Sequence, residues 1–277
     1  MELARDVTLG QYVPGDSFIH RLDPRTKIIG WTILAILMFM AKSFVGMGVF
    51  AVLIMSLIFI ARLPFGYVLG GLRPMIGFLL FLYVFQILFS GSLYPDATHV
   101  VWEWTIFKVT TEGIYLSSLV QVRVVILYLS VTILTLTTSL VELTDGTENL
   151  LSPLQKFGMP ANELAMVAAI SVRFVPTLIE EQEKIIKAQM ARGARLDMTN
   201  AIARTRALVP ILVPLFLSTL RRAEELSVAM ESRCYRGGRG RTKRRQLRLT
   251  GIDYQAWAML ALFSVLILFL RYGTQLP

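Results

Sequence analysis

Apolar residues along this chain gather into long runs, not into the short alternations of a soluble domain. A helix that crosses a bilayer needs about 20 mostly apolar residues, and five stretches are candidates, beginning near Ile28, Phe44, Met75, Ile114 and Tyr254. The first, Ile28 to Ala41, is short, and Lys42 separates it from the second. Either Lys42 snorkels to the membrane surface or the first two helices form a tilted pair. The third, Met75 to about Tyr94, and the fourth, Ile114 to Thr138, are long enough to span unaided. Arg123 is a polar outlier within the fourth and is expected to face other helices. Ahead of it, Trp102 and Trp104 alternate with Val100 and Ile106, a pattern that suits a short hairpin lying against the interface.

The stretch from 139 to 253 follows a different pattern. It reads as long helices that begin apolar and end charged. In "RFVPTLIEEQEKIIKAQMARG" the pairs Leu178/Ile179 and Ile185/Ile186 are seven apart and share a face that Met190 extends. Acids cluster just after Pro176 and bases follow towards the end, in accord with the helix macrodipole, and Gly193 is a plausible terminator. A second helix, "LVPLFLSTLRRAEELSVAMESRCYRGG", runs similarly. From Val-Pro to the terminal arginine is 16 residues in the first (Pro176 to Arg192) and 19 in the second (Pro214 to Arg233), a weak repeat. The run Ala207 to Leu220 is too short for a confident span and holds Pro210 and Pro214. It is expected to lie along the inner membrane face or under another membrane protein.

Composition agrees with this pattern. Of 277 residues 55% are hydrophobic and only 17% charged, with a mean hydropathy of +0.59, which excludes an ordinary soluble domain. The expected fold is an all-α multi-pass membrane protein of about five transmembrane helices with a long cytoplasmic helical insertion. The expected divisions are membrane helices over 1–140, cytoplasmic helices over 141–250 and a final membrane helix over 251–277. The polar amino-terminal stretch has no apolar core and does not read as a cleavable signal peptide. A single cysteine, Cys234, excludes an intrachain disulfide.

The net charge of +9 reports topology first. Twenty-four of the 28 Lys and Arg residues fall in the amino terminus, between the second and third spans, and between Lys156 and Arg248. Only Lys42, Lys108 and Arg271 fall on the other side, so the amino terminus and the 139–253 region are expected in the cytoplasm. The run "RGGRGRTKRRQLR", residues 236–248, holds seven bases and no acid. It is read as contact with anionic lipid, at about 1 kcal/mol per charge, in preference to RNA binding, and nucleic acid is not expected as a partner.

Chemistry-bearing motifs are sparse. No G-x-x-x-x-G-K-[ST] phosphate loop is present. His20 and His99 fall in segments assigned to opposite sides, so they do not share a metal site, and His20 reads as a loop hydrogen-bonding residue. No cofactor, metal site or catalytic set is expected. What stands out is a device used twice: Ala191-Arg192-Gly193 and Ser232-Arg233-Cys234 each place an arginine between small residues at the end of a charged helix. Small flanks let a guanidinium enter a narrow groove and meet carboxylates or carbonyls with both prongs. Ordinary capping of a helix end by a cation is the competing explanation for either triplet alone.

With "HRLDPRTK", "LSPLQKFGMP", "RFVP", "EEQEKIIKAQMARG" and "AMESRCYRGG" in that order, the chain closely resembles the transmembrane component, EcfT, of energy-coupling factor transporters, a branch of the ATP-binding-cassette transporters. The resemblance implies a noncatalytic subunit in a bacterial plasma membrane. Its X-Arg-X helix ends would dock in grooves on two ATPase subunits, and its membrane-side faces would grip a small membrane S-component that binds a vitamin or metal ion. On that footing Ala191, Arg192, Gly193, Ser232, Arg233 and Cys234 are the expected ATPase contacts, and Leu208, Ile211, Leu212, Leu215 and Phe216 the expected S-component contacts. The family's motif is commonly Ala-Arg-Gly. Ser232-Arg233-Cys234 departs from it, and cysteine reaches positive φ less readily than glycine. A rival of another class is a membrane enzyme acting on lipid-linked phosphate substrates through a basic cytoplasmic face.

Overall fold

The computed structural model describes residues 12–89, 100–104, 107–158, 160–194, 201–235, 237 and 249–273. In chain order the elements are α1 (Pro24–Met40), α2 (Phe44–Ala61), α3 (Phe65–Gly70), α4 (Arg73–Leu88), β1 (Val100–Trp104), β2 (Phe107–Thr110), α5 (Thr111–Thr137), α6 (Leu140–Leu151), a 3-10 turn (Ser152–Phe157), α7 (Ala161–Ala191), α8 (Ala201–Ser232) and α9 (Gly251–Gly273). They fall into two compact units. One is drawn from Leu140–Gln246, the other from Gln11–Ser139 with Leu247–Pro277.

The second of these units holds three of the four helices among the described residues that are long and apolar enough to cross a bilayer, and α5 is its post. Leu119, Ile126 and Ile133 repeat every seven residues along α5 and are buried, which gives one seam facing the neighbouring helices. α1, α2, α3 and α4 all pack on α5, and α9 packs on α1 and α2. α2 contributes Met47, Phe50, Ile54 and Ile58, again one face, all nearly inaccessible. Phe50 meets Phe263 of α9 edge-on with ring centroids 5.0 Å apart. In lipid, where tails are as apolar as leucine, close packing and polar contacts hold helices together. Small buried residues on α5, Gly113, Ser117 and Ser130, serve the first. Arg123 serves the second: its guanidinium donates to the carbonyl of Ala41, the cap of α1, at 2.7 Å and lies over the ring of Phe39. It faces other helices, as expected.

All five stretches expected to span are helical, but their lengths differ from the expectation. α2, α5 and α9 are long and apolar enough to cross a bilayer, whereas α1 and α4 have 17 and 16 residues. These two reach only about 25 Å, against a hydrocarbon core of about 30 Å. The described part of the third stretch ends at Phe89, short of Tyr94. A fourth helix also meets the length and composition requirement: α7, over Asn162–Ala191. Lys42 is exposed in the turn between α1 and α2. The tryptophan-bearing segment forms the expected antiparallel hairpin, β1 with β2.

A cluster of polar contacts ties three helix ends of this unit together. The Asp253 carboxylate, fully buried, accepts from the backbone N–H of Asp23 (2.8 Å), the backbone N–H of Thr250 (2.7 Å) and the Thr250 hydroxyl (2.8 Å). It therefore closes a capping box at the start of α9 and also holds the N-cap of α1. Lys27, also buried, donates to the carbonyl of Thr137 at 2.9 Å, a cation on the last turn of α5. His20 bonds the Ser17 hydroxyl through Nδ1 and the Val13 carbonyl through Nε2, the loop role expected of it.

Candidate docking site

The other unit carries both arginine triplets, at the ends of α7 and α8. Both helices are longer than the sequence pattern suggests. α7 begins at Ala161 and passes through Pro176, and α8 begins at Ala201 and passes through Pro210 and Pro214. Each proline removes one intrahelical donor, but none starts a helix, so distances counted from the prolines have no structural meaning.

The two helix ends are built alike. In α7 the Gly193 N–H donates to the Met190 carbonyl at 2.9 Å and the Ala194 N–H to the Gln189 carbonyl at 3.0 Å. In α8 the Cys234 N–H donates to the Glu231 carbonyl at 2.9 Å and the Tyr235 N–H to the Met230 carbonyl at 3.0 Å. Both are Schellman motifs, and in both the residue after the arginine is left-handed, Gly193 at φ 89° and Cys234 at φ 57°. Cysteine thus takes the backbone conformation that its type disfavours, and the departure from Ala-Arg-Gly does not change the geometry of the end.

This termination decides what the arginines are not doing. The carbonyls of Gln189, Met190, Met230 and Glu231 are already taken by backbone N–H groups, and among the described residues neither guanidinium has a hydrogen-bond or ion-pair partner. Arg192 and Arg233 are exposed, and so are Ala191, Gly193, Ser232 and Cys234. The Ser232 hydroxyl is turned back to the Ala229 carbonyl at 2.9 Å. Each tip is therefore a guanidinium with no donor taken among the described residues and no bulky neighbour in sequence, able to enter a groove and grip an anionic or carbonyl-rich wall.

Higher on α8 the five residues proposed for a membrane partner divide. Leu208, Leu212 and Phe216 are exposed, whereas Ile211 is buried and Leu215 half-buried. The reason is helical periodicity: Ile211, Leu215, Ser218 and Arg222 share one face, while Leu208, Leu212 and Phe216, with Val209, Val213 and Leu217, make a broad exposed apolar face. On the first of these faces lies a contact that the sequence pattern did not single out. Glu181 of α7 receives Arg222 on one carboxylate oxygen and the Ser218 hydroxyl on the other, the latter at 3.1 Å. Both partners of the ion pair are partly solvent-exposed, so water screens it and it adds little to stability. Its signal was present in the sequence as the adjacent acids Glu180-Glu181 and the adjacent bases Arg221-Arg222, opposite charges on two neighbouring helices. The basic run 236–248 and His99 lie outside the described residues, apart from Gly237.

Comparison with known proteins now identifies the chain's relatives. The family profile described as cobalt transport protein, CbiQ, matches residues 15–244. The energy-coupling factor transporter transmembrane protein EcfT of Thermosediminibacter oceani is 44% identical over 261 residues, 94% of this chain and 96% of that one. The protein of the same name from Clostridium kluyveri is 45% identical over 254 residues, 92% and 93% of the two chains. That from Bacillus subtilis is 43% identical over 266 residues, 95% and 97%. A membrane protein of largely helical build, matched along nearly its whole length by proteins of one name, this chain belongs to the family of energy-coupling factor transporter transmembrane proteins.

Proposed function

We propose that this chain is the noncatalytic coupling subunit of an importer, joining ATP hydrolysis by a pair of ATPase subunits to uptake of a vitamin or metal ion held by a membrane S-component. The observation that carries this is the pair of identical helix ends, each presenting an arginine free of partners among the described residues. Two matching plugs suit two related sockets. The exposed apolar face of Leu208, Leu212 and Phe216 supports a membrane partner above them. Residues 141–250 would then act as the cytoplasmic coupling region, and motion of the ATPases at the tips would be passed along α7 and α8.

Purification of the tagged chain from native membranes tests this: ATPase subunits and a small hydrophobic protein should accompany it, and their absence would overturn the proposal. At the tips, Arg192→Ala or Arg233→Ala should each cost about 2–5 kcal/mol at its contact, about 30-fold to several thousand-fold in affinity. One plug lost should leave the ATPases attached through effective concentration while transport falls, and both lost should release them. Lysine keeps charge but not the planar fork, so Arg→Lys should restore function only in part. Simple helix capping predicts instead a loss of about 1 kcal/mol or less, with nearly full rescue by lysine.

A further inference from the structure

Glu181 and Arg222 stand at the same distance from the two arginine tips. Arg192 lies eleven residues beyond Glu181, and Arg233 eleven beyond Arg222, with continuous helix up to each triplet's small residue. Eleven residues are about three turns, roughly 16 Å of helix, and return the side chain to within about 20° of its starting direction. Each arginine therefore leaves its helix on nearly the side from which the ion pair is made.

The correspondence continues along both arms at a constant offset of 41 residues. Thr177 matches Ser218, Ile185 matches Leu226, Ala188 matches Ala229, and Gly193 matches Cys234 at the left-handed position. At the crossing the charges are exchanged: Glu180-Glu181 on α7 corresponds to Arg221-Arg222 on α8. Like tips and opposite centres are what two arms need if they are to cross-link to each other and still present the same group outward. The carboxylate is well suited to hold the crossing, because Ser218 and Arg222 lie one turn apart on α8 and take one oxygen each. Two attachments on one helix resist both sliding and rolling, where a single contact would resist neither.

We propose that the Glu181–Arg222 pair is the fulcrum of two levers of equal length, a positioning site that sets where the two arginine tips stand relative to each other. Equal arms fit a partner made of two related halves, whose sockets sit at matching reach on either side of an approximate two-fold axis. The inference rests on the proposed docking of the tips for its consequence in transport; the equal-arm geometry belongs to this chain alone.

Spin labels at two exposed, corresponding positions, Lys187→Cys and Val228→Cys, in a Cys234→Ser background of the full chain in lipid nanodiscs, report the spacing of the arms. With the pair intact, one narrow distance is expected. Glu181→Gln and Arg222→Gln should each replace it with a broad distribution, and the reversed pair Glu181→Arg with Arg222→Glu should restore it. A narrow, unshifted distance in both single variants would overturn the fulcrum, and so would a reversed pair as broad as the singles. Failure of the docking proposal is separable: it shows as ATPases retained by the double variant of Arg192 and Arg233, whatever the arm distance. Glu181→Gln and Arg222→Gln made in the chain that keeps Cys234 and both arginines should still co-purify the ATPases.

Discussion

At the scale of single residues, Gly193 and Cys234 make the most instructive pair. They occupy one backbone role, the left-handed position that ends a helix, and glycine fills it without strain while a residue with a Cβ costs about 1 kcal/mol. Cys234→Gly should therefore stabilise the end of α8 by about 1 kcal/mol, and Gly193→Val should weaken the end of α7 by about 1–2 kcal/mol. Amide hydrogen exchange at Tyr235 and Ala194, whose N–H groups close the two motifs, reads both changes. The triplets were legible from small residues flanking an arginine, and the shared termination was not. Positive φ at cysteine follows from the Cys234 and Tyr235 N–H bonds closing on α8, and no local preference of cysteine announces it.

Among elements, the joining of α1, α5 and α9 depends on a few buried polar side chains. Asp253→Ala would leave the Asp23 and Thr250 N–H groups and the Thr250 hydroxyl without their acceptor. Unmade buried hydrogen bonds are expensive, and the loss should be about 2–4 kcal/mol, visible as a lower midpoint of thermal unfolding in detergent. Asp253→Asn keeps one oxygen and should lose less. Half of this junction could be read beforehand: Thr250-x-x-Asp253 ahead of an apolar run has the spacing of a capping box. The other half, the bond to Asp23, joins residues 230 apart in sequence, and no local pattern encodes it. Local preference disfavours proline inside a helix, yet Pro176, Pro210 and Pro214 all lie inside helices, where packing of long neighbours outweighs the loss of one hydrogen bond each.

For the molecule as a whole, the solvent is lipid. α4 has no buried residue and exposes Ile76, Phe78, Leu80, Phe81, Val84 and Phe85, a surface that would aggregate in water and is ordinary in a bilayer. Orientation follows from charge: with 24 bases assigned to one side and three to the other, the 139–253 region is expected inside. In intact cells, on a Cys234→Ser background, an impermeant thiol reagent should modify a cysteine at Val100 and leave one at position 240 untouched. The apolar length of α7 adds a second readout. A cysteine at Phe157, ahead of α7 and highly exposed, should also stay unmodified, whereas an α7 that crosses the bilayer would place it opposite position 240. Labelling at 240 and not at Val100 would invert the topology.

The sequence by itself determined the solvent, the helical class, the approximate places of the membrane helices and the two arginine tips. Each of these depends on residue type and short-range spacing, on runs of apolar residues, a bias of charge and small neighbours around a cation. Tertiary structure alone decided which residues of α8 turn inward, that Cys234 adopts the conformation of Gly193, that Asp253 holds the start of a helix 230 positions away, and that Glu181 meets Arg222 midway between matching arms. Those are pairings between distant segments, and a pairing acquires its energy only when packing brings both partners to one place.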